Sequence, residues 1–179
     1  MPTPDDLDRR IRAIRLIVMD VDGVLTDGVI AIDDLGVETK HFHVRDGSAI
    51  ALWRKSGGQA AILSGRKAAC VDRRAKELGI FPVVQGAASK LEPFREIVRD
   101  AGVTAEETCF IGDDWADLAS LAEAGLAACP SDAAPEVLAD AHWIAKSPGG
   151  RGAVRDVIEM ILKRQGRYEG LVEAFRRTA

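Results

Sequence analysis

Short apolar runs alternating with longer amphipathic segments constrain this chain more than any other feature of its sequence. The runs are Leu16 to Asp20, Ala60 to Ser64, Phe81 to Val84, Thr108 to Gly112, Leu126 to Cys129 and His142 to Ile144. Between them lie candidate helices, Ser48 to Lys55, Lys67 to Leu78, Leu91 to Asp100 and Trp115 to Glu123, and Arg151 to Arg164 repeats apolar residues at helical spacing on one face. That alternation is the pattern of βα units. The expected fold is therefore α/β, a doubly wound, Rossmann-like parallel sheet. One stretch breaks the rhythm: Val29 to Val44 has period-two apolar positions on both sides of "DDLG", a turn signal, and reads as a β-hairpin inserted after the first strand. "RQGRYEGLVEAFRRTA" follows a glycine stop and ends in a short helix with Leu171, Val172 and Phe175 on one side.

With 179 residues, one domain spanning 1–179 is the natural expectation, with hairpin 29–44 and tail 166–179 as its appendages. A net charge of −4 offers no global positive field for nucleic acid or an anionic membrane, and no run approaches the length of a membrane span. Cys70, Cys109 and Cys129 are odd in number and widely spaced, fitting buried thiols in a reducing compartment. A cytoplasmic location is expected.

In open α/β sheets, ligands bind beyond the carboxyl ends of the strands. Four polar stations fall there. Asp20 and Asp22 in "IVMDVDGVLTDG" share a face if strand geometry persists, and two carboxylates so close call for a cation or a shared proton. Gly23 then frees the backbone to approach a ligand. Ser64 precedes Gly65 and Arg66 at a helix start suited to phosphate, Lys90 stands at another helix start, and "FIGDDWADL" brings Asp113, Asp114 and Asp117. Asp20 and Asp113 could hold Mg²⁺, which takes one or two carboxylates with water and phosphate completing its shell. A carboxylate nucleophile is an established route for phosphoryl transfer.

"DVDGVLTDG", "ILSGR", "SK" and "GDDWAD", in that order, resemble the four motifs of the haloacid dehalogenase superfamily of phosphatases. The chain is more similar still to its capless branch, the 3-deoxy-D-manno-octulosonate (KDO) 8-phosphate phosphatases and related sugar-acid phosphatases, through "VRDG" at Val44 to Gly47, "QG" at Gln85 and "GGRGAVRD" at Gly149. The resemblance implies no cap domain, Asp20 as nucleophile, and Asp22 as general acid and base whose backbone carbonyl also meets the metal. It implies Ser64 and Lys90 on the phosphoryl group, and Asp113 completing a Mg²⁺ site with Asp20 and Asp22. Substrate contacts are implied at His43, Val44, Arg45, Asp46, Gly47, Gly65, Arg66, Arg74 and Lys90, with the Arg66 fork suited to a carboxylate. Family members without a cap form tetramers in which one subunit's hairpin and another's tail shape the pocket.

The implied substrate is a phosphorylated sugar acid, KDO 8-phosphate first and a nonulosonate 9-phosphate as alternative. Ser48 to Ala51 reads "SAIA" where octulosonate enzymes tend to read Tyr-Gly-Ile-Arg, and His43 stands where a small polar residue is common. A receiver-like signalling module and a non-catalytic oligomerisation domain are the rivals from other classes. Plainer readings stand beside the sharp ones. Asp114 and Asp117 support Lys90 or the loop, and Asp27 makes a turn. His41 and His43 lack a third metal ligand, Trp53 and Trp143 pack, and Trp115 packs rather than lining the pocket.

Overall fold

The computed structural model describes residues 3–178. Met1, Pro2 and Ala179, which the expected 1–179 unit also takes in, lie outside the described residues. The elements in chain order are α1 (Pro4–Ala13), β1 (Leu16–Met19), β2 (Ala31–Ile32), β3 (Glu38–Thr39), α2 (Val44–Lys55), β4 (Gln59–Ser64), α3 (Ala69–Leu78), β5 (Val83–Gln85), α4 (Leu91–Asp100), β6 (Thr108–Ile111), α5 (Leu118–Glu123), β7 (Leu126–Cys129), α6 (Pro135–Asp140), β8 (Trp143–Ile144), α7 (Ala153–Arg164) and α8 (Tyr168–Thr178).

Six strands form a parallel sheet in the order β5-β4-β1-β6-β7-β8. Strand alternation sorts the core into two layers. Ile17, Met19, Ala60, Ile62, Cys109, Ile111, Leu126 and Ala128 face α1, α2, α3 and α7, where Ile50, Trp53, Val71, Val157 and Ile161 are buried. Leu16, Val18, Ala61, Leu63, Phe110, Ala127 and Cys129 face α4, α5 and α6, where Phe94, Ile97, Leu121 and Val137 meet them. Phe94 and Phe110 pack edge to face at 5.7 Å between centroids, an arrangement that ring quadrupoles favour. Because the chain runs from β1 outward to β4 and β5 and then returns to β6, a crevice opens at the carboxyl edge beside β1.

Several boundaries differ from expectation for local reasons. The strand expected at Phe81 to Val84 runs Val83–Gln85. Pro82 has no N–H to donate, so regular pairing starts beyond it. The helix expected from Lys67 begins at Ala69, and Trp115 to Glu123 divides into a 3-10 turn, Trp115–Asp117, followed by α5. The helix expected from Ser48 begins at Val44, so "VRDG" is its first turn rather than a loop. Two helices were not anticipated. In α1, Thr3 caps Asp6 N–H, Pro4 opens the helix, and Arg10 pairs with Asp6 at 3.0 Å, a start signal legible in "TPDD". The six-residue α6 likewise starts on a proline.

The inserted ribbon pairs only Ala31 with Thr39 and Ile32 with Glu38. Asp33 Oδ1 accepts from the N–H groups of Leu35 and Val37, and Gly36 takes φ +77°, which closes the "DDLG" turn. The ribbon is shorter than Val29 to Val44, since Val44 belongs to α2. Helix α8 rests Tyr168 and Leu171 against the first core layer. Cys109 and Cys129 are buried in strands while Cys70 is half-buried on α3. Trp53 is fully buried with its indole N–H donating to Gln59 O at 2.7 Å, and Trp143 is half-buried. Trp115 does not pack as expected: it is 66% exposed, its N–H donating to Glu136. No helix among the described residues is long and apolar enough to cross a membrane.

Candidate active site

Four strand ends deliver the polar groups to one crevice. Asp20 follows β1, Ser64 closes β4, Lys90 begins α4 just after β5, and Asp113 and Asp117 follow β6. They line a cavity of about 330 Å³ together with Asp22, Gly65 and Arg66. Lys90 is 4% exposed, and its ammonium lies 2.9 Å from Asp20 Oδ2 and 2.6 Å from Asp117 Oδ1. Asp117 is fully used: its other oxygen accepts from the N–H of Asp113 at 3.0 Å and is approached by that of Asp114. It orients Lys90, as its place in the motif suggested. Ser64 Oγ, 2% exposed, accepts from Arg66 N–H at 3.4 Å. Because α3 starts at Ala69, the loop amide of Arg66, not the helix end itself, donates to this hydroxyl.

Burial of negative charge leaves a deficit of cations. Burial, then Asp117, pushes the Asp20 carboxyl up to about 6 against the pull of Lys90. Burial, then Asp20 and Asp117, pushes Asp113 up to about 8. Burial pulls Lys90 down, but the two carboxylates around it outweigh this and its ammonium is held above the ordinary lysine range. Asp20 Oδ1 and Asp113 Oδ1 are enclosed and have no hydrogen-bond donor. Ligand atoms of Asp20, Asp113 and Asp117 lie within 4.8 Å of one another. With Asp117 committed to Lys90 and two amides, Asp20 and Asp113 are the pair whose free oxygens fit a hard divalent cation.

Asp20 and Asp22 do not share a strand face. The strand ends at Met19, and although Asp20 N–H still donates to Ile111 O, the N–H groups of Val24, Leu25 and Thr26 all turn back to Val21 O. Asp22 reaches the cavity from that turn. Gly23 has φ +87°, and a Cβ there would overlap the Asp113 carboxylate, so the glycine clears room for that carboxylate. Asp27, the expected turn residue, accepts from Val29 N–H at 3.3 Å.

At the rim the ribbon supplies groups that the sequence reading missed. Lys40 pairs with Asp22 Oδ1 and, at 2.8 Å, with Glu38, whose other oxygen accepts from Arg66 at 2.8 Å. The pairing with Lys40, then Arg66, holds Glu38 below the usual carboxylate range. Glu38 and Lys40 two residues apart on the returning arm of the ribbon were the available signal, but only the fold of the ribbon shows that they reach Asp22 and Arg66 at the rim.

The expected substrate contacts divide. Gly65, Arg66 and Lys90 line the cavity, whereas His43, Asp46, Gly47 and Arg74 border a different, nearly filled space beneath α2. Asp46 is 1% exposed and accepts from Gly152 N–H at 3.1 Å and Arg155 N–H at 2.8 Å. Its carboxylate is spent capping α7, where anions suit the helix dipole. The Arg74 guanidinium lies against Gly47, and Val44 and Arg45 are exposed. Within one chain these six residues are not brought to the acidic cavity. A groove of about 370 Å³ between β8 and α7 is slightly larger, but there Lys163 is paired with Glu159 and Arg164 with Asp8, so volume alone does not mark the site.

The model of the haloacid dehalogenase-like hydrolase family matches residues 29–125. The chain is 40% identical to 3-deoxy-D-manno-octulosonate 8-phosphate phosphatase of Yersinia pestis, over 94% of this chain and 90% of that one. The crystal structure of the Moraxella catarrhalis phosphatase of that name, a complex with magnesium, phosphate and KDO, superposes with a TM-score of 0.93 at 38% identity, covering 96% of this chain and 99% of that one. A cobalt-bound form of the Haemophilus influenzae enzyme gives 0.86 at 38% identity over 89% and 93%. With those motifs at those strand ends, the chain belongs to the haloacid dehalogenase-like hydrolases and, within them, to the 3-deoxy-D-manno-octulosonate 8-phosphate phosphatase family.

Proposed function

We propose that this hydrolase is a Mg²⁺-dependent phosphomonoesterase that removes phosphate from a sugar acid, KDO 8-phosphate first, through an aspartyl-phosphate on Asp20. The observation that carries the reading is the state of Asp20: one oxygen lies on Lys90, the other is enclosed and undonated, and a ligand atom of its carboxylate lies within 4.8 Å of one of Asp113, which also has an undonated oxygen. A carboxylate so placed is poised to attack phosphorus once the repulsion between anions is screened.

In this reading Asp20 and Asp113, with the backbone carbonyl of Asp22, hold the cation. Bound there, Mg²⁺ neutralises the carboxylates and the phosphoryl oxygens. Ser64 and Lys90 hold the phosphoryl group. A carboxylate oxygen of Asp20 forms a bond to phosphorus while the bond from phosphorus to the sugar oxygen breaks, and Asp22 gives its proton to that oxygen. Asp22 then takes a proton from water as the water oxygen attacks phosphorus, which frees inorganic phosphate and restores the Asp20 carboxylate. Arg66, exposed at the rim, offers a fork to the substrate carboxylate. A nonulosonate 9-phosphate is the second reading, favoured by Ala51 standing where a basic residue is common in octulosonate enzymes.

The chain acts in this reading as one domain in the cytoplasm and as a homotetramer. Val29, Ile32, Leu35 and Val37 on the ribbon are 53–88% exposed, an apolar edge that suits a neighbouring subunit. In the tetramer the ribbon and the tail from Gly166 complete the pockets of neighbours, and there the less buried members of the His43 to Gly47 stretch, His43, Val44 and Arg45, would serve the substrate. Phosphate release is to be measured across sugar-acid phosphates with and without Mg²⁺. Turnover is expected only with the metal, fastest on the octulosonate ester, and reduced by about 10³-fold or more in Asp20→Asn. Metal-independent turnover, or an active Asp20→Asn variant, contradicts the mechanism. A preference for another ester overturns the substrate alone.

A further inference from the structure

Asp22 stands just past the end of β1, in a turn, so no strand pairing fixes where its carboxylate points. What does fix it comes from the inserted ribbon. The Lys40 side chain is 1% exposed, and its ammonium is shared between Asp22 Oδ1 and Glu38 Oε1. A lysine gives up its hydration only where carboxylates replace it, and here two do. Asp22 Oδ2 is left enclosed and without a hydrogen bond, with Arg66 Nε 3.8 Å away. Glu38 in turn grips Arg66, so one chain of charges runs from the acid and base at Asp22 to the arginine at the rim.

We propose that Lys40 is a positioning residue for the reaction: by holding Oδ1 it turns Oδ2 of Asp22 toward the departing oxygen. The inference rests on the reading of Asp22 as acid and base. Lys40 is too enclosed to bind substrate itself, and its work is done through Asp22. Replacing it leaves the nucleophile, Lys90 and the Asp113 site in place while the acid loses its orientation. The loss then scales with how much the leaving oxygen needs a proton.

The test is kcat/KM over a series of phosphate monoesters running from nitrophenyl to simple alkyl leaving groups, with Mg²⁺ present. Lys40→Met is expected to lose about tenfold or more at the alkyl end and less than about twofold at the nitrophenyl end, steepening the dependence on leaving-group pKa. Lys40→Arg should restore a shallow dependence, and Lys40→Met should add nothing in an Asp22→Asn background. An equal loss across the series, tracking a lower melting temperature in both Lys40→Met and Lys40→Gln, makes the residue merely structural and overturns the proposal. A rise in KM confined to carboxylate-bearing esters overturns it in favour of substrate binding. If Asp22→Asn itself leaves the dependence unchanged, the acid and base reading of Asp22 falls; if Asp22→Asn steepens it and Lys40→Met does not, only the role of Lys40 falls.

Discussion

The floor and the rim of the cavity are built on opposite principles. The floor, Asp20, Ser64, Lys90, Asp113 and Asp117, stands at the ends of buried parallel strands or on the first turns that follow them, where neighbouring elements fix height and direction. The rim, Asp22, Glu38, Lys40 and Arg66, hangs from a turn, a loop and a ribbon of two paired residues on each side, and is held by its own ion pairs. A rigid sheet can keep like charges together at a cost, and the raised carboxyls of Asp20 and Asp113 record that cost. A ribbon with little core of its own can be altered without loss of the fold. In the proposed mechanism, attack on phosphorus and cation binding therefore belong to the floor, and proton transfer and discrimination between substrates to the rim.

The comparison breaks most visibly at Lys90. Lys90→Met strands Asp20 and Asp117 without their buried counterion, and should cost roughly 3–5 kcal/mol in denaturant unfolding besides abolishing turnover. A variant of normal stability would show that the floor is not bound by charge. Asp113→Asn comes next. It removes one member of a repelling group, so the metal-free protein should melt higher, while activity falls on the order of 10²–10³-fold as cation binding weakens.

The same carboxyls give a pH signature. Their folded values, about 6 for Asp20 and about 8 for Asp113, lie above the unfolded value of 3.8. The native metal-free state therefore binds more protons than the unfolded one, and its stability should fall as pH rises from about 4 through 8. Stabilisation by added Mg²⁺ should accordingly be larger at pH 8 than at pH 6, as read from melting curves. Equal shifts at both would place the cation elsewhere. Smallest in structural effect is Arg66→Leu at the rim, where an exposed pair with Glu38 contributes little to stability. Melting should be unchanged, while KM for carboxylate-bearing esters rises about tenfold and KM for simple aryl phosphates stays put. A uniform rise would make Arg66 a phosphate ligand instead.

The floor was legible in the sequence because burial on both faces of β1, β4 and β6 is written in continuous apolar runs, and the polar residues at the ends of those runs must emerge at one edge. The sequence places Asp117 only as a support for Lys90 or the loop, and the fold gives it both tasks, one oxygen on Lys90 and the other on the amides of Asp113 and Asp114. The rim was not. Asp22 leaves the strand because three amides converge on Val21 O, and nothing in "DVDG" specifies that. Glu38 and Lys40 carry no motif, and their meaning depends on where a short ribbon folds over. Asp46 differs in the other direction: the resemblance implies a substrate contact in "VRDG", yet the carboxylate is claimed by the amino end of α7, more than a hundred residues away in the chain. Helix α1 was missed because its stabilisation lies in a cap and charge pairs rather than in an apolar stripe, with Ile11 as its buried residue.

Rapid acid quench during turnover of a phosphorus-labelled substrate, followed by peptide mapping, tests the central claim most directly. The account predicts a hydroxylamine-sensitive acyl-phosphate on the peptide bearing Asp20, formed at a rate no slower than turnover and missing in Asp20→Asn. Label on Ser64, on Asp22 or on any other side chain, or full turnover with no labelled protein in a burst of product, would contradict it.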